Sequence, residues 1–410
     1  MKKTKIIFLI LFLGLGFFYP FHSFSEIIKQ KKTTDENPNF NVFLDYSGGM
    51  NVVVKKELYE GNRFSENYLN LEVIGKATDK ISYRFTKQFI TKKETENYDK
   101  KIEYDKKIET ENYDMLDLAY LKYKWNDKLY FLFGKQPFSF GSMEYASGPY
   151  EHAYRYPHVY KNKNKNKNYV GFSFIYHPIK DHELQFQVVN DIKQPEKNMI
   201  FREINYPMGY SVNWNWSLNP NNDHDQDHND QDKIIKNRWS YSIFQEKDKE
   251  KYWKLLALGS QLNWKPVTIE ADYILSDEDI EKNRSITQIL RSWNRDHYYD
   301  PNVASVKYGT YLVKLKYNFI PKWNFIAKGV YEIGTSKKGM NHLLGPNQLF
   351  QKAYTYYGGV EFLPIIKNDD ISFFIAYQNH RINYSLDQIK RENKNDHSFI
   401  LGLNYRVKMI

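Results

Sequence analysis

Residues 399–409 read FILGLNYRVKM, and this stretch decides the fold. Phe399, Leu401, Leu403, Tyr405, Val407 and Met409 alternate with Ile400, Gly402, Asn404, Arg406 and Lys408. A period of two is the period of a strand, because successive side chains point to opposite faces. One face is apolar throughout, and the other carries the charge. A slip of one residue would put Arg406 and Lys408 among the apolar side chains, so the register is strongly specified.

The same alternation recurs from residue 40 onward. Phe40, Val42, Leu44 and Tyr46 alternate with Asn41, Asp45 and Ser47. Ile81, Tyr83 and Phe85 alternate with Ser82, Arg84 and Thr86. Tyr210, Val212, Trp214, Trp216 and Leu218 alternate with Ser211, Asn213, Asn215 and Ser217. Runs of the same kind start at Val267, Thr310 and Ile371. Weaker ones span 68–75, 115–124, 128–134, 168–176, 183–190, 237–245, 253–264, 323–332 and 354–363, giving 16 strands in all. Strand 115–124 is the least regular, since Asp117 and Lys122 fall on opposite faces.

Short and long connections alternate. Those at 77–80, 126–127, 177–182, 265–266, 320–322 and 364–370 are short. Long polar stretches lie near 54–67, 91–114, 135–167, 191–208, 276–308, 333–352 and 380–397. An even number of strands, short turns on one side and long loops on the other is the pattern of an outer-membrane barrel. The stretch 219–232, NPNNDHDQDHNDQD, breaks the rule, because its place calls for a short turn. Six of the eight Trp (Trp125, Trp214, Trp216, Trp239, Trp264 and Trp323) fall beside the short turns. Amphipathic rings prefer such an interfacial level.

Composition agrees. The chain is 17% aromatic, with 35 Tyr and 27 Phe, yet its mean hydropathy is −0.71. A barrel reconciles these values, since each strand is only half apolar and aromatics gather at both interfaces. There is no cysteine, which excludes disulfides, thiol catalysis and cysteine metal sites. The expected architecture is an all-β, 16-stranded antiparallel transmembrane barrel over residues 40–410.

The first 25 residues read as a signal peptide. Lys2, Lys3 and Lys5 precede an apolar core from Ile6 to about Phe18, and Ser23-x-Ser25 offers a cleavage site before Glu26. The core falls short of the roughly 20 residues a spanning helix needs. Removal of three Lys and no acid would take the formal charge from +10 to about +7. Residues 26–39 are then a periplasmic lead-in, and the destination is the bacterial outer membrane.

Two segments carry a family resemblance. Leu116-Asp-Leu-Ala-Tyr-Leu-Lys-Tyr123 is followed by Leu129-Tyr-Phe-Leu-Phe-Gly-Lys-Gln-Pro-Phe-Ser-Phe-Gly-Ser-Met-Glu144. Together they resemble the phosphate-selective porin O and P family, in which a strand runs into such a Gly-Lys-Gln-Pro-Phe stretch at the start of the third outer loop. The hairpin Asn70–Phe89 and the strand Gly209–Asn219 are similar to it in layout. The resemblance implies a trimeric porin whose third loop folds inward and whose passage is lined by Arg and Lys. It departs from the usual pattern at the C-terminus, which is Ile410 rather than an aromatic residue.

Selectivity in a pore comes from rings of charge and from diameter. The alternation turns Arg84, Arg238, Lys314, Lys316, Lys328, Arg406 and Lys408 to the lumen, against Asp45, Glu72, Asp117, Glu270, Asp272, Glu332 and Glu361. The wall as a whole is therefore balanced. A local basic track would come from Lys314 with Lys316 and from Arg406 with Lys408. On an inward third loop, Lys135, His152, Arg155 and His158, interleaved with tyrosines, would meet the solute at the narrowest point; packing of those tyrosines on the wall is the alternative. The candidate anion-binding residues are thus Arg84, Lys135, Arg155, Lys314, Lys316, Lys328, Arg406 and Lys408.

Other chemistry is poorly supplied. His224 and His228 would share a face only in a helix, which nothing in that segment favours, so no metal is assigned. Asp296, His297 and Asp300 form the one compact catalytic-looking group and lack a nucleophile nearby. Basic charge is dispersed, which argues against nucleic acid. ETENYD at 94–99 and 109–114, and KNKNKNKN at 161–168, read as solvated loop sequence. The expectation is a passive channel for small hydrophilic solutes with some preference for anions such as phosphate, without cofactor or turnover. The rival readings are a barrel-borne lipase or protease and an adhesion barrel.

Overall fold

Alternating side chains leave every backbone N–H and C=O to be satisfied between strands, and in lipid only closure removes the two unpaired edges. The computed structural model describes residues 40–409 apart from 56–57, 92–115, 147–168, 191–206, 219–232, 247–249, 283–285, 288, 291–303, 338–343, 366–370 and 386–392. The described residues form one closed antiparallel barrel of 16 strands, each paired with its sequence neighbours and the first with the last. In order they are β1 (Phe40–Lys55), β2 (Leu58–Thr78), β3 (Ile81–Thr91), β4 (Leu116–Asn126), β5 (Leu129–Gln136), β6 (Tyr169–Tyr176), β7 (His182–Asn190) and β8 (Met208–Leu218). The second half comprises β9 (Ile235–Gln245), β10 (Tyr252–Trp264), β11 (Val267–Glu278), β12 (Val306–Ile320), β13 (Trp323–Ser336), β14 (Leu349–Phe362), β15 (Ile371–Tyr384) and β16 (Lys394–Lys408). One short helix, α1 (Met143–Ala146), comes after β5.

The opening stretch closes the barrel as its alternation requires. On β16, Val407 pairs with Leu44, Arg406 with Asp45 and Tyr405 with Tyr46. The apolar parity faces out: Val313, Ile375, Leu401 and Trp264 are all more than half exposed. The polar parity faces in and is buried, as at Asp45, Asn70, Glu72, Gln187, Asn213 and Asp272. Two-residue turns close β2, β4, β10 and β12 onto their next strands.

Several expectations change. Residues 54–67, expected as a long loop, lie largely in β1 and β2, and the strands flanking the loops near 276–308, 333–352 and 380–397 run further outward than their alternation. Beyond the lipid both faces of a strand meet water or loop, so pairing continues where nothing selects alternating polarity. Asp117 does not face the lumen. It sits opposite the irregularity between Thr86 and Lys87, and Leu118 and Lys122 take the inward positions instead. The unusual segment 219–232, the two ETENYD copies, residues 1–39 and the Asp296–His297–Asp300 group lie outside the described residues.

Candidate functional site

The site is the lumen, and its shape depends on the segment leaving the end of β5. Gln136 is fully buried and accepts a hydrogen bond from Ser173 Oγ at 2.6 Å. Residues 137–146 then leave the wall and run across the inner faces of β7 to β13. The Ser139 amide donates to Gln187 Oε1 at 2.8 Å, and Gly141 N–H donates to Ser240 Oγ at 2.8 Å. Arg238 Nη2 donates to the Phe140 carbonyl at 3.2 Å. Gly141 is required here, because a Cβ would stand 2.4 Å from the Ser240 nitrogen. Phe138 and Phe140 join Val189, Phe244, Leu255, Ala257 and Ile274 in an apolar cluster inside the barrel.

Asp272, at an inward position of β11, holds the far end of this segment. Its carboxylate accepts from Ser142 Oγ at 2.5 Å and from the amides of Met143 at 2.8 Å and Glu144 at 3.0 Å. These amides open α1 and have no partner within the helix, so a carboxylate from the wall caps it. One residue on, Glu144 meets Lys328 of β13 at 2.6 Å, with the two side chains 1% and 2% exposed. A second inward group lies nearer the outer rim. Ile286, Ile289, Leu290, Ala304 and Leu344 pack on Val306, Tyr308 and Phe350. Glu281 accepts there from the amides of Ile286 and Thr287 and from Tyr308 Oη.

The wall cations are held mainly by neighbouring acids. Arg84 Nε lies 2.5 Å from Glu72 Oε1, and Arg406 reaches Glu72 Oε2 at 2.6 Å and Asp45 at 3.6 Å. Two guanidiniums and two carboxylates thus form one balanced group across β16, β1, β2 and β3. Lys314 faces Glu270 at 3.5 Å, and Lys316 faces Glu361 at 3.2 Å. Lys408 is exposed near the periplasmic end of β16. Lys135 falls on the face of Phe131 and Phe133, away from the lumen, and its ammonium donates to the Leu116 carbonyl. Arg155, with His152 and His158, lies outside the described residues.

Four inward cations escape the alternation as read from the sequence: Lys76, Lys122, Lys124 and Lys236. Lys236 lies one residue before the strand as read, and it pairs inward with Ser217 and Gln261. Lys122 follows the inward face of Leu118, which placing Asp117 inward hides. Carrying the face of Leu118 through the strand would have recovered it. Lys122 sits over the Tyr130 ring at 4.6 Å from its centroid. Among the described residues no group of His, Asp and Glu has the arrangement of a metal site.

The family model for phosphate-selective porin O and P matches residues 39–406. No functionally curated protein matches the sequence. Similar solved structures include OmpT, an outer membrane protein of Vibrio cholerae, at 10% identity and a TM-score of 0.57, covering 92% of this chain and 100% of that one. OmpF of Salmonella typhi is similar at 11% identity and a TM-score of 0.57, covering 90% and 98%. The outer-membrane channel DcaP of Acinetobacter baumannii is similar at 10% identity and a TM-score of 0.54, covering 91% and 99%. At such identities these structures speak for the barrel alone. The family match spans nearly every strand, and with the closed barrel and its polar interior it makes this chain a member of the phosphate-selective porin O and P family, a passive-diffusion porin of the bacterial outer membrane.

Proposed function

We propose that the pore favours small anions such as phosphate, and that the preference originates at the periplasmic end of the lumen rather than on the third loop. The observation that carries this is a difference between paired and unpaired cations. Arg84 and Arg406 share Glu72 and Asp45, while Lys314, Lys316 and Lys328 face Glu270, Glu361 and Glu144. Among the described residues, no salt bridge engages Lys122, Lys236 or Lys408. Each is on an inward position close to a short turn or to the C-terminal end of β16. Surplus positive charge against a low-dielectric wall concentrates anions and speeds their entry. The described part of the third loop, residues 137–146, contributes one charge, Glu144, and Lys328 neutralises it.

The pore works without turnover or bound cofactor, and its partners are outer-membrane lipid and the passing solute. A cleaved signal at residues 1–25 would deliver it, with 26–39 as a periplasmic lead-in. A homotrimer is the assembly we favour; one structure of the similar OmpT is of its trimer form. The test is the reversal potential of the purified porin in a planar bilayer under a KCl gradient. The expected sign is anion-selective, moving toward zero in Lys122→Gln/Lys236→Gln/Lys408→Gln, and phosphate should reduce the chloride current. An unmoved reversal potential in the triple variant would remove the periplasmic lysines from selectivity.

A further inference from the structure

The outward face of the barrel has a charge pattern of its own. On the periplasmic halves of the described strands the outward positions hold residues such as Trp264, Phe325, Phe373 and Val407, and no Lys or Arg. Toward the outer ends the pattern changes. Lys254 on β10, Lys307 on β12, Lys352 on β14 and Arg381 on β15 all take outward positions, since their neighbours Leu255, Tyr308, Ala353 and His380 are buried inward. Asp277 is an acid on this face, and Lys337 already holds it. The described outward positions of β13, β14 and β15 include no acid.

A row of rings adjoins these cations. Tyr273, Tyr311, Tyr331 and Tyr354 are register partners across β11 to β14, with centroids 5.0, 6.3 and 5.1 Å apart. The next partner of Tyr354 in that row is Arg381, and the next outward residue of β14 toward the rim is Lys352, which pairs with Asn383. A cation on the lipid face costs roughly 2–4 kcal/mol at the midplane and about 0–1 near the interface. Depth makes these cations tolerable, but it does not explain why one leaflet has them and the other does not. An anion in that leaflet does explain it. Guanidinium binds a phosphate through two parallel hydrogen bonds, and lysine does so as a point charge. Tyrosine rings and hydroxyls suit the edge and face of a sugar.

We propose that the outward surface of β12 to β15 docks a phosphorylated glycolipid of the outer leaflet. Arg381 and Lys352 hold its phosphate, and the Tyr311–Tyr331–Tyr354 row lies under its sugar. The inference depends on the orientation of the barrel and is independent of which solute crosses the lumen.

The probe is a bisphosphorylated disaccharide lipid, added to the full-length porin in detergent and monitored by native mass spectrometry. Lys352→Gln/Arg381→Gln should weaken binding by about tenfold, the loss expected for charge-assisted bonds at an interface. Lys322→Gln, in the periplasmic turn after β12, should leave it unchanged, and a phosphate-free glycolipid should fail to compete. Both variants exchange polar groups for polar groups, and retention of the fast-migrating, unheated band on a gel verifies the barrel; single Arg381→Gln serves if the double variant fails that check. Equal affinity in variant and parent would overturn the proposal. So would equal binding of the phosphate-free lipid, or a changed oligomeric state with unchanged lipid binding, which would give this face to a second copy of the chain.

Discussion

Lys328 illustrates how far one residue can be read. Its inward direction is set by the alternation of β13. Its partner, Glu144, is 184 residues away in sequence and belongs to a segment whose path no periodicity describes. A lysine read as a solute contact is thereby an anchor. Breaking a buried ion pair on one side leaves an uncompensated charge and costs roughly 3–5 kcal/mol, whereas replacing both partners by apolar groups of similar size is often neutral. Glu144→Gln and Lys328→Met are each expected to lower the thermal midpoint of the purified barrel and to make single-channel current noisier. The double variant Glu144→Leu/Lys328→Met should recover most of both. Additive losses in that cycle would mean that the two groups do not act as a pair.

At the scale of elements, the outer ends of β10, β11 and β13 are joined by a rim contact that differs from the lumen pairs. Asp279 accepts from Lys337 at 2.6 Å and from the Tyr252 amide at 2.8 Å, and Lys337 also holds Asp277. Burial alone would raise the Asp279 pKa, but these hydrogen bonds outweigh it and hold the carboxyl below its usual range. Burial alone would lower that of Lys337, and its bonds to Asp277 and Asp279 raise it instead. A depressed acid stabilises the fold above its unfolded pKa, about 4, and loses that contribution as pH falls through the lower folded value. A raised lysine contributes fully below about pH 10.4 and loses it above. The rim should therefore be indifferent to pH between about 5 and 9. Thermal midpoints measured below pH 4 should fall more steeply in the parent than in Asp279→Asn, which has no charge there to lose. Parallel curves would show that the contact does not stabilise the rim.

The whole molecule obeys one rule, apolar out and polar in, and that rule can be tested by placing the same charge on each face. Ile375 is 67% exposed at an outward position of β15, between Val360 and Leu401. Ile375→Arg should cost about 2–4 kcal/mol when folding into lipid vesicles is titrated with urea, while Thr268→Arg, at an inward position of β11, should cost less than roughly 1 kcal/mol and change conductance instead. The opposite order would invert the barrel.

The amino-acid sequence alone determined the strand count and the face of nearly every strand residue, while the closure register that sets Asp45 opposite Arg406 came from the structure. The reason is local: alternation over a few residues is enough to say which side meets lipid. It failed at Asp117 and Lys135, where a register irregularity and the outer end of a strand remove the lipid that enforces the pattern. The tertiary structure decided which charges cancel, because Glu72 with Arg406, and Glu144 with Lys328, meet only once the cylinder has closed and the segment after β5 has crossed its interior. Charge pairing is a property of distance in space, and no period in a sequence encodes it.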